Sequence, residues 1–123
     1  MAKACNDAVM DAALDYIATS TKMIACSAQP TTYTEANATY ALADIVIDSG
    51  DFTKANGDSS GRKVTISAQN AVDVDTTGTA THVALVITAS STLVYVTTCT
   101  SASLDAAGTV NFPAWDIEIA DPS

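Results

Sequence analysis

Four side chains in this sequence could carry nucleophilic or metal chemistry. They are the single histidine, His82, and three scattered cysteines, Cys5, Cys26 and Cys99, which form no C-x-x-C pair. Acid-base and nucleophilic catalysis needs a base held beside a nucleophile and an orienting group, and zinc needs three or four ligands at recognised spacings. His82 lies in a β-like run that has neither pattern. We therefore predict no catalytic, metal or cofactor site, and no enzyme.

Three short strings imitate ligand-binding loops. "DVDTTG", which starts at Asp73, resembles the start of a calcium loop, but Ala84 stands where the twelfth position needs a glutamate. "GDSSGRK" has three residues between its glycines where a phosphate loop has four. "TSTK" begins with Thr19, whereas the S-x-x-K signature begins with serine. Ordinary surface residues explain each string better.

The composition favours one β-rich domain over residues 1–123. Apolar residues make up 48% of the chain, much of it alanine, and charged residues only 15%. Abundant threonine and serine with so few charges suit pleated, half-buried surfaces better than long exposed helices. A chain of this length can also bury a core without help from a metal or disulfide.

The charge balance disfavours two classes of partner. Fourteen acidic residues against five basic ones give a formal net charge of -9, which repels nucleic acid phosphates and anionic membranes. Asp7, Asp11 and Asp15 interrupt the region where a signal peptide would be apolar, and no apolar run approaches about 18 residues. We expect no nucleic acid partner and no membrane span.

The three cysteines are an odd number and form no C-x-x-C pair. They therefore predict free thiols in a reducing cytosol.

One amphipathic helix is predicted over residues 6–20. Asn6 is a suitable N-cap, and the aspartates at positions 7, 11 and 15 follow one face. An apolar stripe recurs at helical spacing on another face, formed by Val9, Ala13, Tyr16 and Ile17. This stripe either covers the domain's own sheet or faces a partner.

The remaining residues, 22–120, predict a β body. "RKVTISA" alternates apolar and polar residues, and "HVALVI" and "TLVYV" form a hairpin with a turn near Ala89 to Ser91. "KANGDSSGR" reads as a loop, and Trp115 in "AWDIEIA" is expected to anchor the last strand on the core. Six to eight short strands predict a mainly β fold, an antiparallel β-sandwich or jelly-roll-like body.

Several strings, in this order, resemble small virion structural proteins of tailed bacteriophages that decorate or cement the capsid. They are "CSAQPTTYTEANATYALADIVID", "SSGRKVTISAQ", "ATHVALVI", "STLVYVTTCTS" and "FPAWDIEIADPS". The resemblance spans nearly the whole chain and carries no catalytic motif. It implies a β-sandwich-like body, synthesis in the bacterial cytoplasm, homo-oligomers that are often trimers, and attachment to a shell of major capsid protein on the virion surface.

Two hypotheses of function follow. The first is a capsid decoration protein that contacts the shell through Val9, Ala13, Tyr16 and Ile17 of the helix, or through the loop around Tyr33. The second is an adhesive or carbohydrate-binding β module, including a tail-associated receptor-binding protein, that uses exposed loops and tyrosines.

Overall fold

The computed structural model describes residues 5–120, which form one helix and nine strands. The helix α1 spans Asp7–Ile17. The strands are β1 Lys22–Cys26, β2 Ala41–Val46, β3 Phe52–Asn56, β4 Arg62–Ile66, β5 Gln69–Asp73, β6 Gly78–Ile87, β7 Thr92–Leu104, β8 Thr109–Phe112 and β9 Trp115–Ile119.

The strands pair antiparallel in three sheets. Four strands form a sheet in the order β2-β1-β6-β7, three form a second in the order β3-β4-β9, and β5 pairs with β8. The fold class predicted from the sequence, a mainly β, sandwich-like body with one N-terminal helix, is confirmed. The predicted hairpin turn is confirmed as well, since β6 ends at Ile87, β7 begins at Thr92, and Ser91 takes a positive φ of 51°.

The main core lies where the three sheets and the helix meet. Met23 and Leu85 of the four-stranded sheet share one buried cluster with Val64 of the three-stranded sheet and Leu14 of α1. Trp115 packs against this cluster, and its indole N–H donates to the Met23 Sδ atom at 3.5 Å. The Trp115 ring also lies 6.1 Å from the Tyr95 ring, centroid to centroid. Trp115 therefore anchors β9 to the core, as the sequence predicts.

A second, smaller cluster covers the opposite face of the four-stranded sheet. Ile24, Cys26, Ala84 and Val86 are buried there beneath the segment that joins β1 to β2, which includes a π-helical turn at Glu35–Thr39. Neighbouring residues of β1 and of β6 are therefore buried on opposite faces of the sheet. These strands lack the alternation of buried and exposed residues that a half-exposed strand shows.

The structure corrects two predicted boundaries and the predicted number of strands. The helix ends at Ile17 instead of residue 20, because the Thr19 and Ser20 hydroxyls bond back to the Tyr16 and Ile17 carbonyls at 2.5 Å and 2.7 Å. The stretch that begins at Lys54 is part of strand β3 and becomes a loop only after Asn56. The structure has nine strands instead of the predicted six to eight, because the sequence pattern does not predict β3 and β8. β3 is mostly exposed and β8 has four residues, so neither has a strong apolar pattern.

Leu14 tests how far the fold depends on α1. Its side chain is fully buried in the main cluster, so Leu14→Ala should lower the free energy of unfolding by about 2–5 kcal/mol through lost burial and a cavity. Val9 on the same helix is exposed, and Val9→Ala should change it by less than about 0.5 kcal/mol. Urea denaturation of both variants checks the contrast, and equal losses would contradict this packing of the helix.

Candidate partner interface

The sequence determines how α1 begins and which side enters the core. Asn6 takes an extended backbone conformation, and its Oδ1 atom accepts a hydrogen bond from the Ala8 N–H at 2.8 Å, which confirms the predicted cap. Met10 and Leu14, four residues apart, are the two buried residues of the helix. The helix therefore covers the body with Met10 and Leu14 and not with the stripe predicted from the sequence.

Ion pairs to the three-stranded sheet fix the helix orientation. The Arg62 Nε–H donates to Asp11 Oδ1 at 2.8 Å, and the Lys54 ammonium lies 2.7 Å from Asp15 Oδ1. The hydrogen bond to Asp11 raises the pKa of the Arg62 guanidinium. The negative charge of Asp7 also raises this pKa. Both partners of the Asp11–Arg62 pair are largely covered, which limits solvent screening of that pair.

This orientation leaves an apolar strip of α1 in solvent, which we call the outer face of α1 and define as Val9, Ala13 and Tyr16. Val9 is 63% exposed and Tyr16 is 55% exposed, and Ala13 is also exposed. Ile17, the fourth member of the predicted stripe, is partly buried against the main core. The predicted stripe is thus divided, and three of its four residues face outward.

One more large apolar side chain is strongly exposed among the described residues. Val46, at the end of β2, is 76% exposed and lies opposite Lys22 in the ladder with β1. It provides a comparison for the outer face of α1, because it belongs to a different element of the fold.

Tyr33 does not stand free on a loop. Its side chain is partly buried and packs against the second cluster, beside the buried residue Ala36. Glu35 supports the turn by accepting hydrogen bonds from the Thr31 hydroxyl and N–H at 2.7 Å and 2.8 Å, and these bonds lower the pKa of its carboxyl group. Tyr33, which the sequence predicts as a candidate shell contact, is therefore partly used to cover the sheet.

His82, Cys26 and Cys99 lie on the adjacent strands β6, β1 and β7 of the four-stranded sheet. His82 is paired with Cys26 of β1 and with Thr98 of β7, next to Cys99. The His82 Nδ1 atom lies 2.8 Å from the Thr81 hydroxyl. Within residues 5–120, no three histidine, cysteine or acidic residues are grouped so that they could hold a metal ion. In the same residues, no helix is long and apolar enough to cross a membrane.

The two sheet cysteines are poor nucleophiles at neutral pH. Burial, together with the nearby Cys99 thiol, raises the pKa of the Cys26 thiol to about 11. Burial also raises the pKa of Cys99. Cys5, Cys26 and Cys99 are all free thiols in the structure. Because the thiolate is the reactive form, Cys26 and Cys99 are mostly in the unreactive thiol form at pH 7.

Cys99 lies between two adjoining clefts, which we call the Cys99 clefts. Their volumes are about 280 Å³ and 210 Å³. Both are lined by Val83, Cys99, Phe112 and Pro113, and both lie between β7 and the segment that runs from β8 into β9. Most of these shared residues are apolar, so the clefts expose part of the core surface beside β7.

The raised pKa of Cys26 should make the stability of the fold depend on pH. Its pKa is about 11 in the folded chain and 9.0 ordinarily, so the unfolded chain loses this proton first and stability falls as the pH rises from about 9 to 11. Between pH 8 and pH 10.5, the free energy of unfolding of the unaltered chain should fall by about 2 kcal/mol more than that of Cys26→Ala. Chemical denaturation of both proteins at the two pH values measures this difference, and identical pH profiles would contradict it.

The position of the chain among known proteins was tested by three comparisons. Neither the protein-family models, nor the curated proteins, nor the solved structures gave a match to this chain.

Proposed function

We propose that the protein is a virion structural protein of a tailed bacteriophage, a capsid decoration or cement protein that binds the assembled shell of major capsid protein. The observation that carries this proposal is the outer face of α1, an apolar strip held in a fixed orientation by a buried stripe and two ion pairs. The resemblance in sequence supplies the identity of the partner.

The outer face of α1 has the chemistry of a contact surface. Tyr16 offers a large aromatic side chain at low conformational cost, and tyrosine is enriched at the centres of interfaces. Ala13 lies one helical turn before Tyr16 and Val9 one turn before Ala13, and both add apolar area without charge. Because α1 is already ordered by Met10 and Leu14, a partner would not have to order the helix when it binds.

The charges beside this strip favour a particular kind of partner. Asp11 and Asp15 are paired with cations of the body, whereas the chain as a whole keeps a formal net charge of -9. A neutral or basic region of the shell surface is therefore the favoured docking site. A protein that binds the assembled shell in preference to separate subunits stabilises the shell by mass action.

Tyr16→Asp tests the proposal directly. The substitution places a charge on the outer face of α1, where a desolvated carboxylate would weaken an interface by at least about tenfold. Cosedimentation with shells assembled from the major capsid protein encoded in the same genome measures binding. We expect the unaltered chain to sediment with shells, and Tyr16→Asp to remain in the supernatant with an unchanged melting temperature.

Val46→Asp is the matched control, since it places the same charge on an exposed apolar residue of another element. It should bind shells like the unaltered chain. Loss of binding with Val46→Asp alone would move the contact to β2 and overturn the role of α1. Failure of the unaltered chain to bind shells would overturn the proposed function.

A further inference from the structure

The strand β7 is a long sheet edge that carries no charge. It has 13 residues and, among the described strands, pairs with β6 alone, so the row of backbone groups on its other side has no strand partner. No residue of Thr92–Leu104 is charged, and none is proline or glycine. Natural proteins usually blunt such edges with charges, proline or short strand length, because an exposed edge pairs readily with another chain.

Other edges of this fold carry those protections. The Leu42 carbonyl on the edge strand β2 accepts hydrogen bonds from the N–H groups of Asp75 and Thr76 at 2.8 Å and 3.1 Å. β3 carries Lys54, and β9 carries two acidic residues among its five. In contrast, β7 is a long edge strand with no charged residue and no proline.

The charge of the whole chain shows where a second copy can approach. Two chains with a formal net charge of -9 repel each other over most of their surfaces. Residues 76–104, which contain the whole β6-β7 hairpin, include no aspartate, glutamate, lysine or arginine. The hairpin itself therefore brings no carboxylate to such a contact, and the carboxylate that lines the larger Cys99 cleft beside Thr98, Asp116, lies 3.5 Å from the Lys63 ammonium.

The two halves of β7 complement each other in size. The first half carries larger, mostly apolar side chains from Leu93 to Val96, and the second half carries small, mostly polar ones from Thr100 to Ser103. The smaller one of the Cys99 clefts lies beside this second half, and Thr100, Ala102 and Leu104 line it. Antiparallel pairing of β7 with itself would place the larger side chains of one copy beside the smaller ones and the cleft of the other.

We propose that β7 pairs antiparallel with β7 of a second copy, across a twofold axis near Thr98. Thr98 is the midpoint of the strand, and the ladder with β6 is regular from Tyr95 to Thr98. A regular ladder over all 13 residues would span about 44 Å and form about 12 backbone hydrogen bonds. The register of β7 against β6 shifts between Leu93 and Tyr95 and between Thr98 and Ala102, so the pairing forms fewer bonds than a regular ladder. The two four-stranded sheets then become one sheet of eight strands.

This pairing is a property of the chain alone and does not depend on shell binding. It is isologous, so each copy supplies the same surface, and the assembly closes at two chains. It uses β7, whereas the proposed shell contact uses α1. The failure of one proposal therefore leaves the other standing.

Thr98→Lys tests the pairing. The residue is exposed, and near the twofold axis the substitution brings two ammonium groups opposite each other, which should raise the dimer dissociation constant by about tenfold. Thr53→Lys is the matched control, since it adds the same charge at an exposed threonine of the edge strand β3. Sedimentation equilibrium of the purified chains should give dimers for the unaltered chain and Thr53→Lys, and weakened dimers for Thr98→Lys.

Amide hydrogen exchange of the unaltered chain supplies a second measurement, which holds even if Thr98→Lys fails to fold. Protection in β7 should increase as the protein concentration rises, while protection in β3 stays constant. A chain that sediments as a monomer at every concentration would overturn the proposal. If the chain forms an oligomer of any size but its β7 amides gain no protection as the concentration rises, the proposal is also overturned. The same holds if a folded Thr98→Lys chain associates as tightly as the unaltered chain.

Discussion

The structure depends on the burial of β1 and β6 on both faces. Met23 and Ala25 point into the main core, and Ile24 and Cys26 point into the second cluster, so no residue from 23 to 26 is left to water. Each face of the central sheet must therefore be covered. The other sheets and Leu14 of α1 cover one face, and the segment around Ala36 covers the other. Removing either cover would expose a continuous apolar surface.

This constraint assigns many of the chemically interesting side chains to structural roles. Tyr33 and Tyr40 pack against the second cluster, and the Trp115 indole N–H donates to Met23. Cys26 is fully buried, and this burial raises the pKa of its thiol to about 11. His82 lies on a strand of the same sheet and bonds to its neighbour Thr81. The core does not use the two surfaces on which the proposals rest, the outer face of α1 and the open edge of β7.

Local patterns in the sequence predict much of this fold, but they cannot choose between competing faces. The alternation of Val64 and Ile66 and the Asn6 cap depend on neighbours a few residues away, and both are confirmed. The buried face of α1 depends on contacts distant in sequence, such as the Asp11–Arg62 bond across 51 residues. Val9 and Met10 both belong to plausible apolar stripes, so helical periodicity alone could not tell which stripe the body would cover.

The cations show why the two uncharged surfaces are the candidates for binding. Arg62 and Lys54 hold α1, Lys63 bonds to Asp58 and also to Asp116, and Lys22 donates to Asn37 at 3.1 Å. These four basic residues act within the fold, so they clamp its elements instead of attracting a partner. The acidic excess remains on the surface and opposes contact with other acidic proteins and with further copies of the chain. The two proposed contacts use surfaces without charged side chains: the outer face of α1 offers apolar area, and the open edge of β7 offers backbone hydrogen-bonding groups.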